Sequence, residues 1–307
     1  MPNKKKNQKK KLVSLVILTY NHETFIEETI LGALSQNYSP LEIIISDDHS
    51  TDKTYEVVES VIKKYQGPHI VKTNRNENNM GLIPHLNKVL FELVNGDYIL
   101  LNGGDDVSLP DRAKNVVSVL DKNPEMMGAL FVPIIIDKTS SVTNKAPLEE
   151  NDTKYVIDKD YLSAISFLIE GFSISFRKEV LDFFGKFNES CPTEDSTTHF
   201  RCMLLGGIIS CQEYGILYRI HDTNMSRESN IYKLKTKPIT NQYAKDLKCA
   251  YERNVITKAT YRKLRKKIFY YGTDRSLSGK IYDSKGFARF FFRVCKKTFS
   301  LCRQLSF

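Results

Sequence analysis

Leu12-Val-Ser-Leu-Val-Ile-Leu-Thr19 is a nearly unbroken apolar run, rich in β-branched residues, and it ends in three polar side chains, Tyr20-Asn21-His22. Such a run reads as a strand buried on both faces, the kind a parallel sheet needs when helices cover it front and back. Phe25, Ile26, Ile30, Ala33 and Leu34 then recur at helical spacing, which predicts a helix over Glu23 to Ser35.

The same unit repeats downstream. Leu41 to Ser46 reads as a strand, Asp47-Asp-His-Ser-Thr-Asp52 as a polar turn rich in helix-capping residues, and Tyr55, Val58, Val61 and Ile62 as the apolar face of a helix. A short strand over His69 to Thr73, a polar loop from Asn74 to Gly81 and a helix over Leu82 to Val94 follow. Asp97 to Leu101 is a fourth strand, and Pro110 suits the first turn of a helix running to about Leu120. Strand and helix alternate at the length of a βαβ unit, which predicts an α/β fold with a mostly parallel central sheet and helices on both faces. Farther on the pattern loosens. Gly128 to Ile136 and Ser173 to Phe176 read as strands, 138–154 as a polar loop, and a helix starts at Arg177.

In an open parallel sheet, ligands bind beyond the carboxyl ends of the strands. The polar residues there are Thr19-Tyr20-Asn21, Asp47-Asp48, Asn74-Arg75 and Asp105-Asp106. The last pair stands in Asn102-Gly-Gly-Asp-Asp-Val-Ser-Leu-Pro-Asp-Arg112, where two adjacent carboxylates close to a buried strand call for a compensating cation or donors. By itself the pair reads more readily as a polar loop ahead of a helix.

The formal net charge of +9 is unevenly spread. Residues 1–11 hold six lysines and no acid, and 258–307 hold 14 basic residues against Asp274 and Asp283, while the residues between carry 25 basic and 34 acidic side chains. The acidic middle argues against nucleic acid as a partner of the core. No apolar run approaches the roughly 20 residues that span a bilayer. The six cysteines form no CxxC pair, and the lysine-rich start lacks the apolar segment of a secretory signal, so a reduced, cytoplasmic setting is expected.

The first βα turn has no glycine, which excludes a dinucleotide-binding fingerprint, and no GxxxxGK[ST] is present. A diphosphate held here has to be neutralised otherwise, and a divalent cation on carboxylates does so. The chain resembles family-2 glycosyltransferases of the GT-A fold from about Val13 to about Ser226. The resemblance rests on Val13-Ser-Leu-Val-Ile-Leu-Thr-Tyr-Asn21, Leu34-Ser-Gln-Asn-Tyr38, Glu42-Ile-Ile-Ile-Ser-Asp-Asp-His-Ser-Thr-Asp-Lys-Thr54, Asn79-Met-Gly81, Gly104-Asp-Asp-Val-Ser-Leu-Pro-Asp-Arg112, Phe184-Gly-Lys-Phe-Asn188 and Thr193-Glu-Asp195.

That resemblance implies an inverting sugar transferase using a nucleotide sugar, usually UDP-linked and sometimes dTDP- or GDP-linked, with Mn²⁺ or Mg²⁺. It implies that Thr19, Tyr20 and Asp48 line the nucleobase pocket, with Asn21 beside them, and that Arg75 reaches the nucleotide. Asp105 and Asp106 stand where the family binds ribose and metal, and Asp195, with Glu194 beside it, where the catalytic base stands. Tyr218-Arg-Ile-His221 is similar to a stretch in which the histidine approaches diphosphate or metal; here the alternatives are His221 as ligand or as packing, and Arg219 as a phosphate partner. The other five histidines, His22 among them, read as structural. Many relatives carry an acid where this chain has Gly103.

The expected organisation is a basic disordered arm over 1–11, a GT-A domain over 12–230 and a helical C-terminal extension over 231–307. Within that extension, Phe287, Phe290, Phe291 and Val294 recur at helical spacing among basic residues from Ser284 on, the pattern of a helix lying on an anionic membrane surface. A lipid-linked glycan acceptor at the inner face of the cytoplasmic membrane follows as an expectation, in O-antigen, capsule or similar synthesis. Two rival readings are a sugar-phosphate nucleotidyltransferase, which usually has a glycine-rich basic first loop, and a non-catalytic basic membrane- or nucleic-acid-binding module, which leaves the acidic crevice unexplained.

Overall fold

A computed structural model of the chain describes residues 10–157, 174–224 and 236–277, with the side chains of 236 and 270–277 outside the description. Most of the lysine arm and the aromatic-basic segment from Ser284 lie outside the described residues.

The chain begins with β1 (Val13–Thr19), α1 (Ile26–Leu34), β2 (Leu41–Asp47), α2 (Thr54–Lys63), β3 (Ile70–Arg75), α3 (Leu82–Lys88, extended by a π-helical turn over Val89–Leu93) and β4 (Tyr98–Gly103). The expected alternation is present, and β1 pairs in parallel with both β2 and β4, and β2 with β3. Side chains alternate faces along a strand. Val13, Leu15 and Ile17 of β1 pack with α1, α2 and α4 (Arg112–Lys122) on one face, while Val16 joins Ile83, Leu86 and Val89 on the other. Each such buried aliphatic contributes about 1.5–3 kcal/mol, so a one-residue slip of β1 would misplace both layers.

Beyond β4 the sheet is mixed. Its order is β3-β2-β1-β4-β9-β6-β10-β5, where β5 is Val107–Ser108, β6 Gly128–Asp137, β9 Ser175–Arg177 and β10 Ile208–Ile220. β9 runs antiparallel between β4 and β6, β10 runs parallel to β6, and β5 is antiparallel to β10. Two short strands, β7 (Val142–Lys145) and β8 (Thr153–Tyr155), fall inside the expected polar loop and pair with β6 and β10.

Three further helices and a short one cover the second face: α5 (Glu179–Phe184), α6 (Asp195–Leu205), α7 (Thr236–Glu252) and α8 (Lys258–Leu277). Ile239, Tyr243 and Leu247 of α7 and Leu264 and Ile268 of α8 belong to the same core as Phe200 and Met203 of α6. That core runs without a break from α6 into the segment read from sequence as an extension. Cys191, Cys202, Cys211 and Cys249 are free thiols.

Candidate active site

Register assembles the crevice. Thr19 lies opposite Asp47, Asp47 opposite Arg75, and Leu18 opposite Gly103, so the ends of the four parallel strands stand in one row. Every polar residue expected at those ends is on that edge.

The first two turns are stapled together. Asn21 adopts a left-handed conformation (φ 57°), which asparagine tolerates better than most residues. Its Oδ1 accepts the Thr51 N–H at 2.9 Å, and its own N–H donates to the Ser50 hydroxyl at 2.9 Å. Asn21 therefore braces the turn, and leaves Tyr20, 41% exposed, standing at the lip. Asp47 is buried, accepts from the Ser50 amide at 2.9 Å and lies 3.5 Å from Arg75 Nε. Arg75 donates to the Ser50 carbonyl at 3.0 Å and stacks over Tyr55 at 5.0 Å.

Asp48 is more deeply committed than the sequence suggests. One oxygen accepts from Asn76 Nδ2 at 2.8 Å and the Met80 N–H at 2.9 Å, and the other from the Gly81 N–H at 2.8 Å. Both oxygens are used to fold the 76–81 loop, and Gly81 takes the positive φ of 81° on which that loop turns.

The two adjacent acids part company. Asp106 is buried, 3% exposed, and its Oδ1 accepts the backbone N–H of Arg219 at 2.9 Å. Burial, reinforced by the neighbouring Asp105 charge, pushes its carboxyl well above the usual range, against the opposing pull of Arg112 and Arg219. Arg112 is itself buried under this loop, donating to Asn102 Oδ1 at 2.9 Å and the Leu101 carbonyl at 2.8 Å. Burial lowers its pKa to about 10.

Asp105 turns the other way, toward the crevice. Its Oδ2 accepts from His221 Nε2 at 2.9 Å, and His22 Nε2 stands 4.0 Å from the same oxygen. Each imidazole is anchored through Nδ1 on a threonine hydroxyl, His221 on Thr223 at 2.9 Å and His22 on Thr19 at 3.1 Å. Phe25 packs on His221 with ring centroids 4.7 Å apart. Burial alone would raise the Asp105 carboxyl, but the His221 hydrogen bond and the two imidazoles bring it below the ordinary value. Burial lowers His22, and Asp105 only partly offsets this. Gly104 permits the approach: a Cβ there would lie 2.4 Å from His22 Nδ1 and 2.5 Å from Thr19 Oγ1.

Two pairs of neighbours are separated. The Asp106 carboxylate is turned inward by the Arg219 amide, while that of Asp105 meets the His221 imidazole. Among the described residues no three His, Cys, Asp or Glu side chains form a ready metal cluster, so a cation held here takes its remaining ligands from elsewhere, as is usual for ions carried with phosphates. Arg219 is turned inward while His221 is not. Its guanidinium, 1% exposed, bonds Glu28 at 2.6 Å, the Ser140 hydroxyl at 2.8 Å and the Asp105 carbonyl at 2.9 Å. Of the residues read as structural, His22 belongs to the site; its only sequence signal is its place three residues after Thr19 at the strand end.

Glu194 and Asp195 open α6. Glu194 is the N-cap residue, its carbonyl accepting the Thr198 N–H at 2.8 Å. Both acids are half-buried. Only Gly206 and Gly207 separate α6 from β10.

Comparison with known proteins follows this geometry. The family model described as glycosyl transferase family 2 matches residues 14–184, more than half the chain. A glycosyltransferase of Haemophilus influenzae is 32% identical over 152 residues, 46% of this chain and 46% of its own length. Another, of Nostoc, is 25% identical over 254 residues, 76% of this chain and 74% of its own. The chain spans about half the length, or less, of the curated relatives it first matches. Among solved structures, S. aureus TarS 1-349 in complex with UDP-GlcNAc superposes with a TM-score of 0.63 at 17% identity, covering 84% of this chain and 71% of that one. The mannosyltransferase PcManGT from Pyrobaculum calidifontis, in complex with GDP-Man and Mn²⁺, gives 0.57 at 16% identity, covering 87% and 70%. These likenesses give the fold, which is the GT-A fold; the family match gives the lineage, and the chain belongs to glycosyl transferase family 2.

Proposed function

We propose that this protein is an inverting, metal-dependent glycosyltransferase that moves a sugar from a nucleotide-diphosphate donor, UDP-linked, to a hydroxyl of a lipid-linked glycan in surface-polysaccharide synthesis of the O-antigen or capsule type. The observation that carries this reading is the Asp105 carboxylate, delivered to the strand-end crevice with His221 on it while its neighbour Asp106 is buried. UDP-GlcNAc in the TarS complex, and GDP-Man with Mn²⁺ in PcManGT, support a nucleotide-sugar donor and a divalent cation.

In this reading Tyr20 offers its exposed ring to the base, Thr19 and Arg75 flank it, and Asp48 acts by holding the 76–81 loop as the wall behind it. Asp105 and His221 hold Mn²⁺ or Mg²⁺, with His22 beside them. A bound cation would stabilise the charge growing on the diphosphate as it leaves. Asp195 takes the proton from the acceptor hydroxyl as it attacks the anomeric carbon. Glu194 keeps the first turn of α6 in place through its carbonyl.

The acceptor side of the proposal rests on charge. Lys258, Arg262, Lys263, Arg265 and Lys266 are exposed on α8, and 258–269 contain no acid, a face that suits anionic headgroups at the inner surface of the cytoplasmic membrane. Among the described residues no helix is long and apolar enough to cross a membrane.

The test is a thermal-shift panel of UDP-, dTDP- and GDP-sugars with and without Mn²⁺ or Mg²⁺. A ligand that binds only the native state raises stability by about 2.7 kcal/mol at a hundred times its Kd. A metal-dependent rise with one nucleotide family is expected; no rise with any of them contradicts the proposal.

A further inference from the structure

The family match ends at residue 184, so α6, β10 and α7 lie beyond it. α7 holds α6 at two places. Tyr243 donates its hydroxyl to the Ser196 carbonyl at 3.2 Å, one residue after Asp195, and its ring packs on Phe200 with centroids 4.4 Å apart. Farther along, Arg201 Nε and Nη2 donate to the two oxygens of Asp246 at 2.8 and 3.3 Å.

The same guanidinium reaches the Gly185 carbonyl at 2.8 Å and lies over the Phe187 ring at 4.2 Å. Gln242 closes the network, donating to Asp246 at 2.7 Å and accepting the Asn188 N–H at 2.7 Å. Arg201, Gln242, Tyr243 and Asp246 are each 1% exposed or less.

A buried ion pair is a poor source of stability, because desolvation cancels much of the attraction. Apolar packing such as Phe200 against Tyr243 already joins the two helices, and it is non-directional. Directional bonds add one thing that packing lacks: they define a single position of α6 along α7. We infer that α7 is a brace that sets where Asp195 stands, with Tyr243 and Asp246 as positioning residues for the transfer step. This rests on the reading of Asp195 as general base. None of the nucleotide-side residues, on or just past β1 to β4 and at His221, belongs to the brace. It therefore acts on turnover and leaves donor binding alone.

The test uses the full chain, UDP-GlcNAc as donor and water as acceptor, with UDP release as the signal. Tyr243→Phe removes only the hydroxyl and keeps the ring. It is expected to lower kcat about fivefold, with KM for UDP-GlcNAc and Kd for UDP with Mn²⁺ unchanged within about twofold. Asp246→Asn is expected to lower kcat by about tenfold or more with the same Kd. Wild-type kcat in Tyr243→Phe, or UDP affinity falling in step with kcat, overturns the brace. Asp195→Asn separates the layers. If it turns over like wild type, the base assignment fails; if it is inactive while Tyr243→Phe is normal, the brace alone fails.

Discussion

The strand-end wall of this crevice and the groups set against it are built in different ways. In the wall, Thr19, Asp47, Arg75 and Gly103 reach one row because consecutive βα units leave parallel strand ends on one edge. For the groups set against it, and for α6, the decisive contacts are remote in sequence. His221 meets Asp105 across 116 residues, the Arg219 amide meets Asp106 across 113, and Arg201 meets Asp246 across 45. A binding wall can thus come from local repetition, whereas the placement of charge within it depends on which distant element arrives.

The strongest way to break this division is Asp195→Asn. General-base catalysis is worth about 10²–10⁴-fold, so turnover should fall by that range while calorimetric UDP affinity holds. Parallel loss of both would mean that α6 and the strand-end wall do not act separately. Next in size is Asp246→Ala, which strands the Arg201 guanidinium in the core. Loss of one partner of a buried pair costs about 3–5 kcal/mol, so the urea midpoint should drop sharply. An unchanged midpoint would show the network to be idle.

A pH experiment sharpens the comparison from the stability side. His199 is buried on α6, neither ring nitrogen has a hydrogen-bond partner among the described residues, and burial pushes its pKa down to about 3. The unfolded chain, with an ordinary histidine near 6.5, binds that proton more readily. Stability from keeping His199 neutral is therefore complete above about pH 6.5 and is lost as pH falls toward 3, by about 1.4 kcal/mol per unit. His199→Leu should flatten the fall in melting temperature between pH 6.5 and 5, and an identical profile in both proteins would remove His199 as the cause.

The same division explains what could be read in advance. β1, β2 and β4 were legible because each is an apolar run between polar turns, and burial on both faces leaves no alternation to misread. β10 was not, since Ile208 to Ile220 interleaves Ser210, Gln212 and Glu213 with apolar residues and is held by β6, β5 and β8 together. The opposite fates of Asp105 and Asp106 were equally hidden. Both occupy one dipeptide, and only the Arg219 amide and the His221 ring tell them apart. His22 was passed over for a similar reason, because a lone histidine after a strand carries no signal until Asp105 stands beside it.

The measurement closest to the centre of this reading is calorimetric titration of UDP, with and without Mn²⁺, into the wild type, Asp105→Ala and Asp106→Asn. Mn²⁺ should strengthen UDP binding in the wild type and in Asp106→Asn, and the enhancement should vanish in Asp105→Ala. Enhancement that survives in Asp105→Ala and disappears in Asp106→Asn would contradict it, since the buried acid would then be the one that holds the cation.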